Sequence, residues 1–312
     1  MPNKALSSPA VSICIPAYLN TGLLSRTLDS LLKQTYQDFE LIVTDDSPDD
    51  SVAQLLSHFN FGNRAFYQRN SPPLGSPANW NAALTLATGR YIKILHHDDW
   101  FASSEALARL VEALEQAPQS EVVFAAGTIV EATNAQPIRP VLASLQQLKQ
   151  LASEPWRLIS KNFLSTPSTM LHRNRSAYRY DTSLKWLVDI DFYVQILSQN
   201  DQVIYVDAPL LYISDGTHSV TNVVQNDKKL MLFEYFYFGQ KWGINWSKKP
   251  YYFTLGCLLA KYDVGSIGEL EGLLQSGDLP LRLLEKIIRR RYWFKLLMAW
   301  AKLKATYSIS QL

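Results

Sequence analysis

The stretch "RYIKILHHDDWF", residues 90–101, decides how this chain reads. Tyr91, Ile92, Ile94 and Leu95 form a short apolar run around Lys93, and the run changes abruptly to His96, His97, Asp98 and Asp99. A run of this length reads as a buried strand. Ending it on adjacent carboxylates sets two like charges side by side, which is tolerable only if they are well solvated, separately bonded or neutralised by a cation. A metal, or a metal-bound phosphate, is the first ligand such an ending suggests.

Working outward, the same alternation of strand and helix fills the first hundred residues. "AVSICIPAY" is a β-branched run ending near Pro16, and "FELIVTDD" is a second short strand ending in carboxylates. "RAFYQRN" reads as a third strand. Between them "LLSRTLDSLLKQ", "SVAQLLSHF" and "SPANWNAALTLA" repeat apolar residues at helical spacing, the last starting near Ser76 and Pro77. This order predicts an α/β fold with a mostly parallel sheet and helices on both faces. Ligands of such sheets bind at the carboxyl ends of the strands. Pro16, Asp45, Asp46, Asp98 and Asp99 all fall at those ends.

Composition bounds the reading. With 312 residues, 47% hydrophobic, the chain can bury a sizeable core. A formal charge of +2 gives no reason to expect nucleic acid as a partner. Cys14 and Cys257 are the only cysteines, too few for a disulfide framework or a zinc cluster, and a reducing, cytoplasmic setting is expected. "VSICIPAY" is interrupted by Pro16 and no apolar run is long enough to span a bilayer, so the chain is expected to be neither secreted nor membrane-spanning.

Further along, "SSEALARLVEALEQA" predicts an amphipathic helix and "EVVFAAGTIVE" a strand. Residues 132–165 carry no clear periodicity. "FLSTPSTMLHR" and "QVIYVDAPLLYIS" read as strands with the helix "WLVDIDFYVQILSQ" between them, and from about residue 223 aromatic-rich helices take over.

"VSICIPAYLN", "FELIVTDDSPDD", "NWNAALTLATGRYIKILHHDD" and "LVDIDFYVQIL", in this order and spacing, resemble the family-2 inverting glycosyltransferases of the GT-A fold over residues 10–222. The resemblance implies a catalytic domain over 1–222, with a nucleotide-binding half at about 10–100 and an acceptor half at about 101–222. A helical extension would occupy 223–312. It implies that Pro16, Ala17 and Tyr18 line the nucleotide base pocket, that Asp46 accepts the base N–H, and that Asn81 supports the edge of the donor site. Asp98 would contact the ribose or donor sugar, and Asp99 would ligate Mn²⁺ or Mg²⁺, with His218 as a further ligand. Asp189 would be the base that takes the acceptor proton. The implied reaction moves a hexosyl or N-acetylhexosaminyl group from a nucleotide-diphosphate sugar, UDP-linked first, to a saccharide or lipid-linked acceptor in cell-surface polysaccharide synthesis. The competing readings are an inactive nucleotide-sugar-binding module and a metal-dependent phosphohydrolase.

Each residue also has a plainer role open to it. Asp98 and Asp99 could begin a loop, Asp45 fits a turn former with Ser47 and Pro48, and Asp189 could be a first-turn carboxylate favoured by the helix dipole. His96 and His97 read as packing and stay off the ligand set; Trp100 and Trp186 read as core before sugar platforms. The chain departs from the family pattern at Val188, where a glutamate often precedes the base. It departs again at Ile213, where an arginine often stands, at Leu19, and in the "SPDD" turn.

Residues 281–312 carry eight Lys or Arg and one Glu, a charge of +7 that leaves −5 on the rest. Leu283, Leu284, Ile287, Ile288, Trp293, Phe294, Leu297, Met298 and Trp300 recur there at near-helical spacing. Two readings stand open: a helix packed on the protein, or an interfacial helix over 281–304 that touches the inner face of the membrane.

Overall fold

The computed structural model describes residues 8–200, 202–215, 224–274 and 279–309, with side chains as far as 302. Two compact units divide the chain, Met1–Pro155 with Asn162–Ser219, and Trp156–Lys161 with Val220–Leu312.

The first unit is built on one nine-stranded sheet in the order β3-β2-β1-β4-β8-β6-β9-β5, with β7 paired to β6. β1 (Val11–Ala17), β2 (Phe39–Asp45), β3 (Ala65–Arg69) and β4 (Tyr91–Ile94) are mutually parallel. The alternation of β1 explains its burial on both faces. Val11, Ile13, Ile15 and Ala17 enter the core with Leu24, Leu28 and Leu31 of α1 (Thr21–Leu32) and Leu107, Leu110 and Leu114 of α4 (Ala106–Glu115). Cys14 turns the other way, its thiol facing the Ala83 carbonyl of α3 (Ala78–Leu86). Helices therefore cover both faces, and each fully buried leucine contributes about 1.5–3 kcal/mol. Close approach fixes one glycine: a Cβ at Gly89 would stand 2.6 Å from the Ser12 nitrogen. α2 (Ser51–Ser57) completes this half.

Beyond β4 the sheet departs from the parallel expectation. β8 (Met170–Arg173) runs antiparallel to both β4 and β6 (Val122–Glu131), while β9 (Ile204–Asp215) is parallel to β6 and pairs antiparallel with β5 (Trp100–Phe101). The sheet is parallel from β1 to β4 and mixed beyond. The aperiodic section 132–165 contains β7 (Pro137–Val141) and α5 (Leu145–Ser153), the latter opened by a reciprocal cap between Ser144 and Gln147. α6 (Val188–Leu197) follows β8.

The second unit is helical: α7 (Lys228–Lys241), α8 (Lys249–Lys261), α9 (Ile267–Leu274), α10 (Leu281–Arg289) and α11 (Arg291–Ile309). The single basic helix open to the sequence is two, broken at Arg290, whose backbone leaves the helical region. α11 packs on α8 where Gly256 lies directly under the Phe294 ring. Ser160 joins this unit through a 2.7 Å hydroxyl pair with Thr254. Among the described residues no helix is long and apolar enough to cross a membrane.

Candidate functional site

Parallel pairing brings the carboxyl ends of β1, β2 and β4 to one edge, with Ala17 beside Asp45 and Cys14 beside Ile94. Two polar residues lock that edge. Asn79, 5% exposed, donates to the carbonyls of Ala17 (3.3 Å) and Thr44 (3.2 Å) and accepts from Asn70. Asp46 accepts from the Asn70 amide (2.8 Å) and the Leu74 N–H (3.0 Å) on Oδ1, and from the Gly75 N–H (2.7 Å) on Oδ2. Asp46 thus anchors the 70–75 loop, and three of its four lone pairs are used. Pro16 and Ala17 are buried within β1, whereas Tyr18 beyond it is 55% exposed. Asp45 accepts from its own turn at Ser47 N–H and from the Tyr67 hydroxyl at 2.9 Å, which fits the turn-former reading. Burial, then that bond, pushes the Tyr67 hydroxyl up to about 12.

Asn81 sits two residues further along α3 and spends its side chain on Tyr180. Its amide donates to the Tyr180 carbonyl (2.8 Å) and its oxygen accepts the Tyr180 N–H (2.9 Å). Its described contacts therefore tie α3 to the segment that leads into α6.

The end of β4 holds a tight polar group. His96, Asp98 and Asp99 each offer a ligand atom, all within 4.8 Å of one another. Asp99, 3% exposed, accepts the Ser214 N–H (3.1 Å) on Oδ1 and the Thr166 hydroxyl (3.2 Å) on Oδ2. Burial, reinforced by the Asp98 charge, raises its pKa to about 7. The half-buried Asp98 carboxylate makes no hydrogen bond among the described residues. The sequence reads His96 as packing; the structure sets it in the cluster with Asp98 and Asp99. Burial holds its pKa down at about 4, so the ring is neutral near pH 7. When Asp99 is ionised the Thr166 hydroxyl donates to it, and Thr166 then accepts from His96 Nδ1 at 3.1 Å. Nε2 then keeps a lone pair, and that atom is buried without a partner. A neutral imidazole with a free lone pair has the chemistry to bind a metal.

Beneath the cluster, Lys93 is fully buried and its ammonium donates to the carbonyls of Ser168 and Met170 (3.2 Å for the latter). Burial lowers its pKa to about 7 against the attraction of Asp99. The Ser168 hydroxyl in turn accepts the His96 N–H at 3.0 Å.

Asp189 lies in the first turn of α6, half-buried, with Oδ1 buried and unpartnered. Burial raises its pKa to about 7. The Trp80 ring connects the regions, 4.8 Å from His96 and 4.9 Å from Tyr180. Burial and then the Asp189 charge push the Tyr180 hydroxyl well up; after burial, the Tyr193 hydroxyl responds to Asp189 first, with Tyr180 and Asp99 adding to it. The carboxylate of α6 and those of β4 therefore border one polar neighbourhood. Asp191 is wholly buried. Trp100 is 6% exposed beneath the Arg26 guanidinium, a core residue as expected, and Ile213 packs over Gly127. His97 stays outside the cluster, and His218 lies outside the described residues. Asn70, Asn79 and Thr166 escaped sequence reading, because their partners lie far along the chain.

The family described as Glycosyl transferase family 2 matches residues 12–180, more than half of the chain. Over 95 residues the chain is 34% identical to the UDP-Glc:alpha-D-GlcNAc-diphosphoundecaprenol beta-1,3-glucosyltransferase WfaP of Escherichia coli, covering 30% of this chain and 38% of that protein. The matches span between 16% and 63% of the length of the first curated relatives, less than two thirds in each. In fold, the chain is similar to S. aureus TarS 1-349 in complex with UDP-GlcNAc. The TM-score is 0.54 at 17% identity, over 85% of this chain and 83% of that one. It is also similar to the mannosyltransferase PcManGT of Pyrobaculum calidifontis in complex with GDP-Man and Mn²⁺. Here the TM-score is 0.55 at 16% identity, over 95% and 89% of the chains.

Proposed function

Because the chain belongs to glycosyl transferase family 2, we propose that it transfers a sugar, with inversion, from a nucleotide-diphosphate sugar to a hydroxyl of a saccharide or lipid-linked acceptor in cell-surface glycan synthesis. The observation that carries this reading is the presence of two features in one polar neighbourhood around Tyr193. One is the His96, Asp98 and Asp99 cluster; the other is Asp189, with an unpartnered carboxylate oxygen and a pKa raised to about 7.

The donor set fits Mn²⁺ or Mg²⁺: two carboxylates and a neutral imidazole converge, and the Asp98 carboxylate is not committed to any described hydrogen bond. Asp98, Asp99 and His96 would hold the ion, which, when bound, neutralises charge on the diphosphate leaving group. Thr166 and Ser214 hold the Asp99 carboxylate in place. At the donor end, Asp46 and Asn79 fix the loop and strand ends that Tyr18 borders, so the nucleotide base enters a preset edge. Asp189 accepts the proton of the acceptor hydroxyl as it attacks, a role suited to a carboxylate whose affinity for protons lies near neutrality. One displacement inverts the anomeric centre, so an α-linked donor gives a β-linked product. That relation agrees with the E. coli relative, whose name makes it a beta-1,3-glucosyltransferase with UDP-Glc as donor. UDP-Glc and UDP-GlcNAc are therefore the first donors expected, ahead of GDP-Man.

The test is a panel of UDP-Glc, UDP-GlcNAc and GDP-Man with Mn²⁺ or Mg²⁺, reading nucleoside diphosphate release with and without lipid-diphosphate-linked acceptors. Acceptor-dependent, chelator-sensitive release from a UDP-sugar is expected. Turnover of simple phosphoesters without a sugar acceptor would instead establish a phosphohydrolase.

A further inference from the structure

The last described helix has two apolar sides. Phe294 is fully buried against α8, and Leu297 and Met298 are half-buried on that side. At about 100° per residue, Tyr292, Trp293, Leu296 and Trp300 fall together on another side. They are 64%, 48%, 70% and 55% exposed, respectively. A contiguous strip of this kind, with two tryptophans in it, marks a docking face rather than scattered surface residues. A third strip, Arg291, Lys295 and Lys302, borders it on the Tyr292 side. The Arg291 guanidinium lies 4.7 Å and the Lys295 ammonium 5.7 Å from the Tyr292 ring centre. Arg291 also lines, with Arg282 and Arg289, a cleft of about 530 Å³ beside α9.

We infer that this face docks on the surface of an anionic phospholipid bilayer. Charge chooses the occupant. Residues 281–312 carry +7 while the rest of the chain carries −5, so attraction to an anionic surface is concentrated in this segment. A second copy would set +7 against +7, and the core of a protein interface is depleted in such charges. Tryptophan and tyrosine suit headgroup depth, where an apolar ring meets water, and the bordering cations meet lipid phosphates. Arg289 in that cleft is paired with Glu285 at 2.6 Å, which leaves Arg282 and Arg291 to supply the fork geometry that phosphate accepts. The use of such docking rests on the proposed reading, since a lipid-linked acceptor resides in that surface; the docking itself does not require turnover.

The experiment is co-sedimentation of the full chain with vesicles of phosphatidylglycerol and phosphatidylcholine, against phosphatidylcholine alone, at low and high salt. Binding to the anionic vesicles alone, weakened by salt, is expected. Leu296→Asp should weaken it by about tenfold or more, and the double variant Arg282→Glu/Arg291→Glu should do so while keeping the apolar strip. Leu145→Asp, at a 78% exposed position on α5, should bind as the parent does. Circular dichroism and thermal midpoints verify folding, and the charge-reversal variant decides if Leu296→Asp fails to fold. Failure of the parent chain to bind anionic vesicles, or undiminished binding by both variants, overturns the inference. Self-association abolished by Leu296→Asp without vesicle binding would also overturn it and make the face a homotypic interface. Transfer to a water-soluble acceptor should be unchanged in Leu296→Asp, so loss of docking and loss of the enzymatic reading are separately visible.

Discussion

His96 Nδ1 and Asp99 Oδ2 lie 3.9 Å apart and share one hydroxyl, that of Thr166, at 3.1 and 3.2 Å. The bridge spans about seventy residues of sequence and joins the end of β4 to the turn before β8. It fixes the imidazole tautomer and one carboxylate oxygen together, as a second shell does around a metal.

Thr166→Val keeps the shape and removes the bridge. The Mn²⁺ concentration giving half-maximal transfer is expected to rise by about 10-fold or more, with a stability loss of about 1 kcal/mol. Thr166→Ser should restore both. An unchanged metal requirement in the valine variant would confine Thr166 to a structural role.

Asp189 sets a pH-dependent cost on folding. Its pKa rises from 3.8 to about 7 on burial, so between those values the folded chain holds a proton the unfolded chain has released. Stability contributed at this site is therefore present at low pH, falls as pH rises through the window, and is fully lost above about 7. Asp189→Asn should raise the unfolding free energy by about 1–3 kcal/mol at pH 8 and by close to nothing at pH 4. Denaturant titrations at both pH values check the sign.

Gly256 is required by a ring. A methyl added there meets Phe294, so Gly256→Ala should destabilise the helical unit by about 1–3 kcal/mol. Phe294→Leu in the same chain should recover part of the loss. An alanine variant as stable as the parent would contradict the packing of α8 on α11.

Much of the fold was legible where burial is two-sided. β1, β2 and β4 are enclosed on both faces and so read as apolar runs, and α1 and α4 repeat leucine on one face. β7 was not, because "PIRPV" is an exposed edge with two prolines and shows neither alternation nor an apolar run. β5 is two residues long, too short for any periodicity. The break at Arg290 was hidden because apolar spacing continues across it. In the site, Asp98, Asp99 and Asp189 stood out as carboxylates at a strand end and a helix start. His96 did not, since the contact that orients its ring comes from Thr166, about seventy residues away. Asn79 was overlooked beside Asn81 because local sequence does not tell which amide meets the strand ends.

The most direct measurement is the turnover of Asp189→Asn alongside its donor affinity, with Mn²⁺ and the donor identified for the parent chain. Asparagine fills the same space but takes no proton. Turnover should fall by about 10²-fold or more while donor dissociation constants stay within about twofold. The parent's turnover should rise with pH through about 7, as Asp189 ionises. A variant that turns over its bound donor at the parent rate but binds it weakly would contradict the account and place Asp189 in the binding site.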